Sequence, residues 1–445
     1  SKLQILSNKS DSSSSCGSSG INVAAVSGVA PSMMAEPGFA GNAALVTLGC
    51  AKNLVDSEIM LGVLRSKGFR PVSDATQADL IVVNTCAFLE SAVKEGVDRI
   101  LELSELKANG RCKKLVVAGC MVERYRESLA ESLPEVDRFI STDELLTVAD
   151  EGSSSTTAFD EARRPYFLYD ESMPRIRSTG GHAAYVKIAE GCDRPCAFCI
   201  IPKIRGSFRS RPLKSIVREV EGLVSDGVKE ISLVAQDLTA YGVDLEGGKK
   251  GVPQLEELIK QLDASDSPSE FWVRLLYAYP IGVTESLVKS IVASKHICSY
   301  LDLPLQHISH PVLKRMQRPL GEKGTRGLIE QMRYAAPELA IRTTFVVGFP
   351  GETEEDIVAL EQFVSEGHFA HVGVFCYSQE REAKAYTYPD QVPDEVKEER
   401  RNRIMECQQH VVDESLESYI GSTERVLVER SEEHTSELQS PMFIS

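Results

Sequence analysis

The chain is short of aromatic residues (7%, with a single tryptophan) and short of positive charge. It has no run of about 18 apolar residues, so no membrane-spanning helix is expected. Its 49 Lys and Arg face 65 Asp and Glu, a net charge of -16. That deficit argues against broad, sequence-independent binding to a phosphate backbone, which needs basic surface. It suits a basic protein partner better. No clear secretory signal opens the chain, so its eleven cysteines are not read as a disulfide framework. What is present is ordinary for a soluble globular protein: 42% apolar and 26% charged residues over 445 positions, enough for two or three domains. In a reducing compartment a surplus of cysteine points to metal binding or redox chemistry, and position decides which.

Residues 1–43 are rich in Ser, Gly and Ala, with Asp11 and Glu36 as the acids and Lys2 and Lys9 as the bases. They read as a disordered tail or as a transit segment, although arginine is missing. From residue 44 to 150 short apolar runs (Ala44–Leu48, Leu80–Val83, Leu115–Ala118) alternate with helical patterns over Leu54–Lys67 and Phe88–Leu106. Continuous apolar strands between amphipathic helices predict a parallel sheet covered on both faces, a flavodoxin-like α/β domain. Residues 151–180, with their Ser/Thr run and the Gly180-Gly181 pair, read as a linker. From 181 to 415 six strands are predicted: Tyr185–Ala189, Ile231–Ala235, Trp272–Tyr277, Tyr300–Leu303, Thr343–Val347 and Val372–Tyr377. Six βα units suggest a partial (β/α)6 barrel, open where a full barrel would have eight. Residues 430–445 show no trustworthy periodicity, and Arg430–Ser440 resembles the translation of a sequencing adapter; that stretch is read as an artefactual tail.

Two groups of cysteines carry the chemistry. Cys192, Cys196 and Cys199 form a C-x3-C-x2-C group directly after the first barrel strand. Three thiolates on one loop can hold three irons of a four-iron cluster and leave the fourth open to a small molecule. Zinc is the competing reading, but a structural zinc site usually takes four ligands. Gly191 and Pro195 let the loop bend tightly, and Phe198 offers an apolar cover. Cys50, Cys86 and Cys120 are distant in sequence, yet each ends a predicted strand. In a parallel sheet the carboxyl ends of neighbouring strands lie side by side, so the three can converge on a second cluster. Singly, each would read as a small buried apolar residue. Cys16, Cys112, Cys298, Cys376 and Cys407 are given no role.

The cysteine loop, with Phe198 before its last thiol, resembles the signature of radical S-adenosylmethionine enzymes. In that family the open iron binds the cofactor, and an electron from the cluster cleaves it to a 5′-deoxyadenosyl radical. Both trios in this order resemble the methylthiotransferases over about residues 44–429. The matching words are Leu48-Gly49-Cys50-Ala51-Lys52-Asn53-Leu54-Val55-Asp56-Ser57-Glu58, Asn84-Thr85-Cys86, Glu190-Gly191-Cys192, Cys199-Ile200-Ile201-Pro202, Arg205-Gly206 and Arg209-Ser210-Arg211-Pro212. Gln236-Asp237, Tyr241-Gly242, Asp302-Leu303-Pro304-Leu305-Gln306-His307 and Gly348-Phe349-Pro350-Gly351-Glu352-Thr353 complete them. They favour the branch that acts on a ribosomal protein. The transfer-RNA branch, the alternative, would show Gln-Met-Asn after the first cysteine and Gln-Asn in place of Gln236-Asp237.

The resemblance implies a β-carbon of one aspartate in ribosomal protein S12 as substrate, whose C–H bond has no useful acidity and so calls for a radical. It implies two [4Fe-4S] clusters, a radical-generating one on Cys192, Cys196 and Cys199 and an auxiliary one on Cys50, Cys86 and Cys120. S-adenosyl-L-methionine, an electron donor and a sulfur source would serve them in a monomer without membrane contact. The location implied is cytoplasmic, or a plastid or mitochondrion if residues 1–43 are a transit segment. Family members end in a small TRAM β-domain, of which 416–429 would be a truncated start. Gln236, Gly348, Pro350 and Gly351 are candidates for the cofactor pocket, against a plain tight turn for the Gly/Pro stretch. Asp237 either contacts a ligand or caps a helix. Lys203, Arg205, Arg209 and Arg211 either pair with a carboxylate or form a solvated basic edge. His307 reads as a hydrogen-bonded structural histidine.

Overall fold

A computed structural model describes residues 39–150, 168–245, 251–265, 269–423 and 426–427. The expected tail at 1–43 lies almost wholly, and that at 430–445 wholly, outside the described residues, whereas 416–423 and 426–427 of the expected β-domain start lie within them.

The amino-terminal domain runs β1 (Gly41–Thr47), α1 (Ala51–Ser66), β2 (Phe69–Pro71), β3 (Leu80–Thr85), α2 (Glu90–Asn109), β4 (Lys114–Gly119), α3 (Cys120–Ser132) and β5 (Arg138–Ile140). All neighbours pair in parallel, in the order β2-β1-β3-β4-β5. That is the flavodoxin-like order, in which ligands gather beyond the carboxyl ends of β1 and β3, where the winding reverses. The strands are apolar throughout because alternate residues serve two cores. Val46, Ile81, Val83 and Val117 pack toward α2 and α3, whereas Leu45, Leu80, Val82 and Val116 pack toward α1. The edge strands β2 and β5, three residues each, were not among the predicted strands.

Helix α1 departs from the expected amphipathic pattern. Every residue from Lys52 to Leu64 is buried, because one side meets the sheet and the other meets the second domain. Residues 168–180, expected within a linker, have no regular structure but are packed. Tyr169 is buried, and Arg175 bonds Glu58 on α1, Glu219 and the carbonyl of Tyr185.

The second domain holds β6 (Ala183–Lys187), the short antiparallel pair β7 (Ala189–Glu190) and β8 (Arg209–Ser210), and between them α4 (Ile201–Arg205). There follow α5 (Leu213–Ser225), β9 (Glu230–Val234), α6 (Leu255–Asp263), β10 (Trp272–Leu276), α7 (Glu285–Ala293) and β11 (Tyr300–Asp302). Helices α8 (His310–Arg315) and α9 (Glu322–Ala335), β12 (Ala340–Val347), α10 (Glu354–Ser365), β13 (His371–Cys376) and α11 (Asp394–Glu417) complete it. Two parallel three-stranded sheets, β6-β9-β10 and β11-β12-β13, join through a bridge from Val273 to Ile297 and a bond from the amide of Ala278 to the carbonyl of Asp302 (2.8 Å). The six predicted strands form the open barrel. In β12, Ile341, Thr343, Phe345 and Val347 are buried and alternate with half-buried residues, the pattern of a strand with one face on the helices and the other toward a barrel interior. Helix α11 extends to Glu417, and among the described residues 418–427 there are turns and no strand. Nor, among the described residues, is any helix long and apolar enough to cross a membrane.

Candidate active site and metal centres

The loop from Gly191 to Ile200 leaves the mouth of the barrel without regular structure. Gly191 has φ 75°, and a Cβ there would stand 2.2 Å from the carbonyl oxygen of Ser207; glycine is needed for this approach. Ala197 pins the loop from both sides, its amide bonded to the carbonyl of Met316 (2.9 Å) and its carbonyl to the amide of Ala385 (2.8 Å). The ring of Phe198 packs in an apolar cluster with Phe349, Met316 and Tyr377. The sulfur of Cys192 accepts from the Arg194 amide (3.4 Å), that of Cys199 from the Ile201 amide (3.5 Å), and that of Cys196 from Arg318 Nη1 (3.5 Å). Burial pushes the thiol of Cys192 up to about 11 and that of Cys199 up to about 12, with the charge of Cys196 adding to both and that of Cys192 adding to Cys199. Three thiols crowded together and surrounded by N–H donors make a donor set that fits anionic sulfur bound to iron.

The other trio sits beyond the carboxyl ends of β1, β3 and β4, where the position of each cysteine after a predicted strand places it. Cys50 caps α1 and Cys120 opens α3, so two of the three thiols lie at the positive end of a helix. Gly49 brings the strand ends together: a Cβ on it would meet the Cβ of Cys86 at 2.6 Å and its sulfur at 3.1 Å. Burial raises the Cys86 thiol and pushes that of Cys120 up to about 12, with the charge of Cys50 adding to both and that of Cys86 adding to Cys120. Cys50 behaves differently. Burial opposes its ionisation, but the Lys52 ammonium, the Arg205 guanidinium and nearby amides outweigh it and hold the thiol below its ordinary value. Among the described residues no three His, Cys, Asp or Glu converge tightly enough for a single metal ion; a cube takes its thiolates on separate irons, so its ligands need not meet at one point.

Between the trios lies a buried network that the sequence reading missed. Lys187 at the end of β6 donates to Asp56 Oδ1 (2.5 Å) and Glu190 Oε2 (2.7 Å). Arg205, the last residue of α4, donates from Nη1 to Asp56 Oδ2 (2.9 Å) and Glu190 Oε2 (3.3 Å). Its Nη2 reaches Asn53 Oδ1, and its Nε reaches the sulfur of Cys120 (3.2 Å). Lys187 and Arg205 together outweigh burial, which would raise the Glu190 carboxyl, and lower it. Gln236, beyond β9, donates to Glu190 Oε1 (2.7 Å), while its own Oε1 is buried without a partner. That free acceptor is an atom a polar ligand could use. Lys52 lies with its ammonium 4.1 Å over the ring of Tyr277 and 3.5 Å from the carbonyl of Ala235.

Several candidates turn out differently. Arg205 and Arg211 are buried, neither a solvated edge nor a free carboxylate receptor. Arg211 bonds Glu219 (2.6 Å), Ser215 and the carbonyl of Lys187. Lys203 donates to the carbonyl of Glu382, and Arg209 to those of Arg205 and Ser207. Asp237 caps the turn after β9 through Thr239 and Ala240 and pairs with Arg194 (2.7 Å). His307 is the structural histidine expected, buried and accepting from the Ser309 amide (3.0 Å). The Gly348–Gly351 turn ends β12. Its glycines face Lys397 and Arg315, and Phe349 between them reaches the cysteine loop through the cluster with Ala197 and Phe198. The apolar strands could be read from periodicity; the network could not, since Asn53 and Asp56 lie more than 130 residues from Lys187 and Arg205 and the charges are of a kind usually assigned to the surface.

An open parallel barrel with three thiols on the loop after its first strand defines a class, and the Radical SAM superfamily model matches residues 186–364. The model described as uncharacterized protein family UPF0004 matches residues 42–141. The ribosomal protein uS12 methylthiotransferase RimO of Geobacter sulfurreducens is 46% identical over 88% of this chain and 87% of its own length. That of Anaeromyxobacter sp. is 48% identical over 88% and 82%. Among solved structures, the radical S-adenosylmethionine methyltransferase TsrM from Kitasatospora setae aligns over 75% of this chain and 72% of its own, with TM-score 0.53 and 15% identity, a likeness of fold alone. The chain belongs to the RimO family of radical SAM methylthiotransferases.

Proposed function

We propose that this methylthiotransferase modifies the β-carbon of an aspartate in ribosomal protein uS12, with Cys192, Cys196 and Cys199 holding one [4Fe-4S] cluster and Cys50, Cys86 and Cys120 a second. The observation that carries this reading is the placement of one thiol trio at the mouth of each domain's parallel sheets, with the Arg205 network between them. When bound, the clusters and S-adenosylmethionine supply electron transfer, a carbon radical able to take an unactivated hydrogen, and a methylthio group. This chain's own residues bind and orient. The loop amides and Arg318 hold the first trio, and Phe349, Tyr377 and Phe198 keep water from its flank. Gln236 offers its unused oxygen to the cofactor, and Gly348, Pro350 and Gly351 contribute the shape of the turn that seats Phe349. Lys52 and Arg205 place positive charge beside the second trio.

The names of the relatives support the ribosomal substrate, and the net charge of -16 sits better with a basic ribosomal protein than with transfer RNA. The reaction would take place where small subunits are: the cytoplasm, or an organelle if residues 1–43 are a transit segment. An electron donor and a sulfur source must be supplied from outside the chain.

Anaerobic reconstitution is expected to give a brown protein with about eight irons per chain, falling to about four when either trio is changed to alanine. Mass spectrometry of small-subunit proteins, with and without the enzyme, is expected to find one methylthio adduct on uS12. Thiomethylated nucleosides in transfer RNA with an unmodified uS12 would overturn the substrate.

A further inference from the structure

A single five-residue helix links the two trios. Helix α4 begins at Ile201, two residues after Cys199, and ends at Arg205, whose Nε donates to the sulfur of Cys120 at 3.2 Å. The helix belongs to the barrel by sequence, yet Ile200 and Ile204 are buried in the core of the amino-terminal domain with Val46, Ile81 and Val117. Arg205 is 5% exposed, and its other donors are fixed by Asp56, Glu190 and Asn53. The guanidinium thus cannot turn away from the sulfur without leaving buried carboxylates short of a partner. A fork of five donors in rigid geometry suits this placing in a way an ammonium does not.

We propose that Arg205 is a positioning residue shared by both trios: it ties Cys120 through α4 to Cys199 and sets the reduction potential of the cluster that Cys120 helps to hold. The inference rests on reading Cys50, Cys86 and Cys120 as ligands of that cluster. A hydrogen bond and a positive charge at a ligating sulfur stabilise the reduced, more negative cluster more than the oxidised one, so potentials follow such contacts. Lys187 is the natural comparison. It is equally buried and holds the same two carboxylates, but its ammonium is committed to them and not to a sulfur.

The test uses the full chain with Cys192, Cys196 and Cys199 changed to alanine, reconstituted anaerobically and titrated with dithionite under EPR. About four irons in this parent uphold the ligand reading; no iron overturns that reading and this inference with it. In that background Arg205→Gln is expected to move the midpoint potential to more negative values. The expected shift is about tenfold in the ratio of reduced to oxidised cluster, close to 59 mV for one electron. Arg205→Lys, which restores the charge and one donor, is expected to recover part of the shift, and it decides the matter if Arg205→Gln fails to fold or load. Lys187→Gln is expected to lower stability comparably while shifting the potential less than half as far. An equal shift for Lys187→Gln, or an unchanged potential in both Arg205 variants with iron bound, overturns the proposal.

Discussion

A single glycine governs how closely two thiols approach. Gly49 adopts φ 93°, and the space its missing Cβ would fill already belongs to the side chain of Cys86. Gly49→Ala therefore carries two penalties. The backbone strain is about 1–3 kcal/mol, and the methyl group must push Cys86 away from Cys50. Stability by urea unfolding is expected to fall by about that amount. Iron after reconstitution is expected to drop from about eight to about four per chain, with the cysteine loop of the barrel still loaded. A full complement of iron in this variant would show that the three thiols tolerate a wider spacing.

At the scale of elements, the carboxylate of Asp79 registers the sheet. Its Oδ2 accepts from the Asn42 amide at the start of β1 (2.9 Å), while its own amide donates to the Asn42 carbonyl (2.8 Å). The Asn42 bond, opposed by burial and helped by Arg111 and Lys113, lowers the carboxyl from 3.8 to about 2. Both cations are well exposed and add little by themselves. Because the folded value lies below the unfolded one, the contribution is complete above about pH 4 and is lost as the pH falls through about 2. Asp79→Ala is expected to cost about 1–3 kcal/mol near neutral pH, and the gap to the parent protein is expected to close in acid unfolding curves. Elements of this kind show how much could be read in advance. The long strands and the cysteines at their ends announce themselves by apolar runs that only two-sided burial explains. β2 and β5 do not, since three residues are too few to establish a period. Helix α1 misleads for another reason. Asp56, Glu58 and Asn53 look like a solvated face, and their partners, Lys187 and Arg205 in the other domain and Arg175 in the segment that leads to it, are beyond the reach of local pattern.

That shared helix makes a statement about the whole molecule. Asp56 accepts from both Lys187 and Arg205 and is 1% exposed, so the network balances two cations against two carboxylates across the domain boundary. Removing one partner of a buried ion pair typically costs about 3–5 kcal/mol, because the remaining charge stays buried and uncompensated. Here the loss falls on the contact between domains and spares the barrel core and the core between α1 and the amino-terminal sheet, which are formed by separate sets of residues. The chain offers its own reporter, since its single tryptophan, Trp272, lies in β10 of the barrel. Far-UV circular dichroism senses both domains, whereas Trp272 fluorescence senses the barrel. In the parent protein the two urea transitions are expected to coincide, as they do when unfolding is cooperative. In Asp56→Ala the circular dichroism transition is expected to begin at lower urea than the fluorescence transition, as the amino-terminal domain releases first. Coincident curves in that variant, shifted together by 3–5 kcal/mol, would mean that α1 couples the domains through its apolar contacts and that the buried charges only adjust the fit.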